Sequence, residues 1–182
     1  GHTTKRPVLV AVQRPEALAI GGPAGRAVAR PLTGLSAAAL QPVISTVVAA
    51  TATLMTDQHG AFAVVGRGYA DHQSVNHGQL EYVRGDVHVN GAEGFNDRVR
   101  RTVAGVFHHI SPKHAERYLD EVAFRWNQRI CTGTAIRTSR KGKPKARAQY
   151  DRLPPVSQMR ALFAHAFGRQ MRRTPEGSLA IV

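Results

Sequence analysis

The stretch from Glu81 to Arg101, EYVRGDVHVNGAEGFNDRVRR, constrains this chain more than any other. Its first half is polar and turn-rich: Arg84-Gly85-Asp86, then Asn90-Gly91, residue types that punctuate regular structure. Its second half opens an amphipathic basic segment in which Phe95, Val99, Val103, Val106 and Phe107 recur at intervals of three and four. That is the period of one helical face, so the spacing predicts a helix that starts close to Glu93 and buries this stripe. Glu93 and Arg100 stand seven residues apart, two turns, on nearly the same side. A carboxylate at a helix start meets the positive end of the helix dipole, which favours its ionised form. Two uses fit such a residue: a helix cap, or a ligand aimed at a cation.

The segments before this run read as alternating strands and helices. Arg6 to Gln13 is a short β-branched apolar run, expected as a buried strand. Gly21-Gly22-Pro23 is a turn, and Arg26 to Pro31 a second strand completing a hairpin. Ser36 caps a helix expected to reach about Ala50, burying Leu40, Val43, Ile44 and Val47. Pro42 either kinks that helix or marks its true first turn. Ala52 to Thr56 forms a compact strand ending on Asp57. A carboxylate at the C-terminal end of a strand in an open α/β sheet points into the ligand crevice. Asp57 can equally cap the helix expected from Gln58 to Val65. His72, His77 and His88 follow at spacings that match no zinc pattern, so they read as exposed, strand-end or DNA-facing residues, with a short strand over Gln73 to His77. Ser111-Pro112 starts a last helix of this region, with Ala115, Tyr118, Leu119, Val122 and Trp126 along its buried face.

Charge narrows the partners. The 182 residues carry 25 Lys and Arg against 12 Asp and Glu, a net +13 and a pI near 11.2. Such an excess points to phosphate backbones or other anionic surfaces. No apolar run approaches the roughly 18 residues of a membrane span, and no signal peptide is recognisable. A single cysteine, Cys131, excludes an intrachain disulfide and a cysteine-rich zinc site. From Ile130 to Gln149, Arg137, Arg140, Lys141, Lys143, Lys145 and Arg147 appear without an acid, among Gly, Pro, Ser and Thr. This composition reads as a disordered basic arm, available to DNA phosphates or simply solvated. Pro154-Pro155 then opens a helix over Val156 to about Met171, with Met159, Leu162, Phe163, Ala166 and Phe167 on one face, suited to docking or self-association.

The wording from Glu81 to Arg129 closely resembles the DDE-type transposases of bacterial insertion sequences of the ISXO type, related to Merlin elements. The family's EYVRGDVHTN run, its glutamate three positions on, and its GVFHHIS-type segment correspond here to EYVRGDVHVN, Glu93 and GVFHHISPKHAERYLDEVAFRWNQR, Gly105 to Arg129. The resemblance implies an RNase H-like mixed sheet flanked by helices and metal-dependent DNA cleavage and strand transfer. It implies Mg²⁺ or Mn²⁺ held by acids, and DNA ends and target as partners. A homo-oligomer in the bacterial cytoplasm, associated with the nucleoid, completes the expectation. Asp57 matches the family's second Asp and Glu93 its glutamate, with thirty-five residues between them. His88 and Asn90 match the His and Asn before the glutamate, and Arg100 stands where relatives have Lys. Arg98 and Arg101, with the basic arm, are the expected DNA contacts.

The family's first Asp lies on an Asp-Glu-x-Tyr strand upstream of Arg6–Gln13. Here the first acid is Glu16, beside the Arg14-Pro15 turn. The expectation is therefore a transposase domain over 1–130 lacking its first, central strand, a basic linker over 131–150, and a C-terminal helix and tail over 151–182. The chain, which opens on Gly1, then reads as a fragment or a truncated copy. It is inactive in this form, or alternatively a catalytically dead DNA-binding remnant. Asp97, one turn past Glu93, is expected to add a like charge there.

Overall fold

The computed structural model describes residues 6–14, 19–138, 142, 144–166, 171–173 and 179–181. The chain divides into two units, Gly1–Ala17 with Pro23–Asn127, and Leu18–Gly22 with Gln128–Val182.

In the first unit, the apolar run of β1, Val8–Val12, pairs antiparallel with β2, Ala27–Pro31, with Val8 opposite Pro31 and Val12 opposite Ala27. The Ser36 hydroxyl accepts the Ala39 N–H at 3.3 Å and starts α1, Ala37–Val47, which carries Pro42 in its interior rather than at its first turn. The strand β3, Thr53–Asp57, pairs in parallel with β4, Asp71–Val75, across a connection holding α2, Gly60–Val65, and a 3₁₀ turn, Gly66–Gly68. Parallel pairing needs such a crossover. β4 starts and ends two residues earlier than the sequence suggests. Beyond Val75 the Asn76 side chain accepts the Gln79 N–H at 3.1 Å and turns the chain into a 3₁₀ turn, His77–Gln79. The His72 ring bonds Thr56 Oγ1 at 2.8 Å and lies so close to Gly66 that a Cβ there would meet its Nδ1 at 2.2 Å. Only glycine leaves that room.

Two apolar clusters cover β1 from opposite sides. Leu9 joins Leu32, Leu40, Ile44, Ala61 and Val65, with Leu54 of β3 packed against them. Val10 and Val12 pack against Ala27, Ala29, Phe95, Leu119 and Val122. Alternate β1 residues thus serve alternate layers, as strand geometry dictates. The fold is mixed α/β, but the described residues form two separate two-stranded sheets in this unit, β1–β2 and β3–β4, where one mixed sheet was expected.

The helix starting near Glu93 is α3, Asn90–Thr102, and it runs into a π-helical turn, Val103–Phe107. The wider turn shifts the phase of the apolar stripe. Phe95 is fully buried and Val99 and Phe107 pack on the second cluster, whereas Val106 is 61% exposed. The last helix of the unit, α4, Ala115–Asn127, follows a 3₁₀ turn at Pro112–His114 and buries Leu119, Val122 and Ala123. Arg30 of β2 meets Asp120 at 2.6 Å and Glu116 at 3.4 Å, one turn apart on α4. The Asn127 side chain then clasps β2: Oδ1 accepts the Ala27 N–H at 2.6 Å and Nδ2 donates to the Ala27 carbonyl at 3.1 Å. Ala27 is 1% exposed, so truncating Asn127 leaves a buried donor and acceptor unpaired. Asn127→Ala is expected to cost about 2–4 kcal/mol, read as a lower urea midpoint, whereas Arg30→Ala, acting on exposed ion pairs, costs about 1 kcal/mol or less.

In the second unit the basic stretch is a hairpin, not an arm without regular structure. β5, Arg129–Thr138, pairs antiparallel with β6, Pro144–Arg152, with a register shift between Cys131 and Gly133. Small, β-branched and polar residues alternate along both strands (Thr-Ala-Ile-Arg-Thr, Lys-Ala-Arg-Ala-Gln), the period of a strand. Gly142 adopts φ +76° in the connection, a conformation that favours glycine. Arg140, Lys141, Lys143, Glu16 and Phe167 lie outside the described residues, as does the side chain of Lys145. Gly21 donates to the Cys131 carbonyl at 2.7 Å and Cys131 donates to that of Gly22 at 2.8 Å, at the base of the hairpin. α5, Pro155–Ala166, presents exposed Val156, Met159, Leu162 and Phe163, and Met171–Arg173 pairs antiparallel with Leu179–Ile181.

Candidate active site

Asp57 closes β3 opposite Val75, about 5 Å away by ordinary strand spacing. Its carboxylate is exposed, and Oδ1 accepts the His59 N–H at 3.3 Å. The cap of α2 is His59, whose Nδ1 accepts the Ala61 N–H at 3.3 Å. Asp57 therefore braces the turn ahead of the helix rather than capping it.

Glu93 lies in the first turn of α3, its N–H bonded to the Val89 carbonyl at 3.0 Å. Its carboxylate reaches outward instead, to His77 Nδ1 at 3.6 Å. His77 sits two residues beyond the strand end that faces Asp57, with its ring 5.1 Å from that of Tyr82. The loop carrying Tyr82 is tied to the end of β4. The Asn76 N–H donates to Glu81 Oε2 at 3.1 Å, and Arg84 Nη2 donates to the Ser74 carbonyl at 2.6 Å. Glu93 thus meets His77 just past the C-terminal end of β4, the end of the β3–β4 pair on which Asp57 closes β3. Arg14, just past β1, bonds Met55 Sδ of β3 at 3.1 Å and the Asp86 carbonyl, joining β1 to the same end.

The remaining residues singled out in the sequence are spread along α3 and its approach. Val87 is buried and exchanges backbone bonds with Arg84, which fixes the loop before His88; His88 is half-buried and Asn90 is exposed as the first residue of α3. Arg98, Arg100 and Arg101 are exposed, and Arg100 makes a loose 3.9 Å ion pair with Asp97. His77 is the residue sequence reasoning undervalued. The contact that gives it a role spans sixteen residues, and nothing local announces it.

Exposed carboxylates are oxygen donors of the kind a hard divalent cation takes. The donor set fits Mg²⁺ in kind but is short in number: among the described residues no three of His, Cys, Asp and Glu form a cluster able to hold a metal ion. Among them, too, no helix is long and apolar enough to cross a membrane.

No curated protein and no solved structure matches the chain. One family does, the ISXO2-like transposase domain, over residues 1–127. That span holds both carboxylates, His77 and every element of the first unit, and so the chain belongs to the ISXO2-like transposase domain family of insertion sequences.

Proposed function

We propose that this chain carries part of a metal-dependent DNA cleavage and strand-transfer centre in which Asp57 and Glu93 are two of three acids. The observation behind this reading is the contact of Glu93 with His77, two residues past Val75, the strand end that pairs with Asp57. We read β1–β2 and β3–β4 as parts of one RNase H-like mixed sheet, with a central strand between β1 and β3 bearing the third carboxylate. Three features support that arrangement. β1 and β3 pack against one apolar cluster, Arg14 bridges them, and among the described residues each has an unpaired edge.

A divalent cation bound there supplies neutralisation of phosphoryl charge and activation of the attacking oxygen. The chain's own residues have separate tasks. Asp57 and Glu93 offer the oxygen donors, while His77 holds the Glu93 carboxylate toward the strand ends. Arg100 offers a guanidinium to a DNA phosphate, with Arg98 and Arg101 beside it on the same helix. His88 and Asn90 shape the entry to α3. With Asp57 and Glu93 as its only acids the centre binds a cation weakly and does not turn over, and action on paired DNA ends as a multimer belongs to the same reading. The rival reading, a DNA-binding remnant with inert carboxylates, draws on the absence of a third donor among the described residues.

Mn²⁺ titration followed by electron paramagnetic resonance separates the two. One weak site is expected, lost in both Asp57→Asn and Glu93→Gln and retained in Asp71→Asn, which alters the exposed carboxylate at the opposite end of β4. Equal Mn²⁺ binding by all four proteins would leave the remnant reading standing.

A further inference from the structure

We infer that the β5–β6 hairpin is a preformed ribbon that enters a groove of duplex DNA, resting on the reading of the chain as DNA-handling but adding to it a specific docking element. In an antiparallel pair, opposed residues share a face and successive pairs alternate between faces. Ala135 stands opposite Arg147 and Gly133 opposite Gln149, while the backbone of Arg137 pairs with that of Lys145. Arg137, Arg147 and Gln149 are therefore on one face and are exposed, and they line one open depression that extends to Ala148, Tyr150 and Asp151 toward the hairpin base. Over the same stretch the other face carries Thr134, Ile136, Ala146 and Ala148.

Arg137 and Arg147 are diagonal cross-strand neighbours, about 7–8 Å apart by sheet geometry. From Arg129 to Gln149 the sequence has no acid; Asp151, the one acid lining the depression, lies at its end by the hairpin base. Like charges held this close repel, and a polyanion lying along the face relieves the repulsion. Duplex dimensions match. A ten-residue strand is about 33 Å long, close to one turn of B-DNA, and a two-stranded ribbon fits a major groove about 12 Å wide. Single strands are a poorer fit, because they are gripped by stacking on aromatic rings. The one aromatic ring of the hairpin, Tyr150, sits near its base with the Arg129 guanidinium 5.1 Å above it. A ribbon ordered in advance also loses less entropy on docking than a disordered arm.

The test is fluorescence anisotropy of the full chain with a generic DNA duplex, in chelator and without element ends, across a salt series. Arg137→Gln/Arg147→Gln is expected to lower the log–log salt slope by about 1.8, two phosphates' worth. Ala135→Pro/Ala148→Pro keeps every charge. Because those residues lie in adjacent pairs, at least one proline removes a ladder hydrogen bond. This second variant is expected to weaken duplex binding at least tenfold, with the emission of the single tryptophan, Trp126, reporting that the first unit stays folded. An unchanged slope in the glutamine variant overturns the inference, as does wild-type affinity in the proline variant or tighter binding to single-stranded DNA or duplex RNA. If the proline variant disturbs Trp126, the glutamine pair decides. Binding is read here without metal or strand transfer, so its failure leaves the catalytic reading intact, and a silent catalytic assay leaves the slope unaffected.

Discussion

On the three-acid reading, Asp57 and Glu93 alone are expected to give no strand-transfer product with Mg²⁺ or Mn²⁺ and DNA carrying the element's ends, whereas a chain that also carries an Asp-Glu-x-Tyr strand ahead of β1 is expected to be active. On that reading the Asp57 and Glu93 carboxylates hold one cation. A two-metal centre needs a further acid to bridge or complete the shells. In the extended protein, Glu93→Gln should lower the rate by about 10²–10³-fold, the scale on which losing one preorganised charge-stabilising group acts. Product formed by the short chain and abolished by Glu93→Gln would disprove the three-acid reading and call for another donor, with Asp97 the first to test. The added strand should also raise stability, because it would pair the open edges of β1 and β3. Measuring the melting temperature of an extended chain whose new Asp is replaced by Asn separates that structural gain from the chemical one.

Phe95→Ala is expected to bring the first unit close to unfolding, with a loss of about 3–5 kcal/mol. Phe95 has 0% exposure, and its ring meets that of Trp126 edge-on at 5.2 Å, tying α3 to α4 beneath β2. Total stabilities of domains this size run to about 5–15 kcal/mol, so most of the margin disappears. The loss should appear as a low-temperature shift in Trp126 emission. Val106→Ala is the informative contrast. It belongs to the same three-and-four stripe in the sequence, yet it is exposed past the π-helical turn and should change stability by less than about 0.5 kcal/mol. Equal effects from the two substitutions would show that the turn does not rotate the stripe as described.

Sequence alone was enough for whatever is written within a few residues. The serine ahead of α1, the strand ending on Asp57, the proline-led start before α4 and the helix opening near Glu93 are local signals of capping and periodicity, and each element lies where those signals put it, within two or three residues. Family membership was legible for a related reason, since it rests on the order and spacing of residues along the chain. In the basic stretch, alternation at the period of a strand is present, but charge and glycine content mask it, and only the backbone pairing reveals the β5–β6 hairpin. Tertiary structure alone decided the rest. Asn127 grips a backbone one hundred positions earlier, His77 meets Glu93 across a turn and a loop, and Arg14 reaches Met55 and Asp86. Whether β1–β2 and β3–β4 share hydrogen bonds was equally hidden, as was the exposure of Val106. Such contacts depend on where distant segments come to lie, and that is set by the packing of two apolar layers around β1 rather than by any short run of residues.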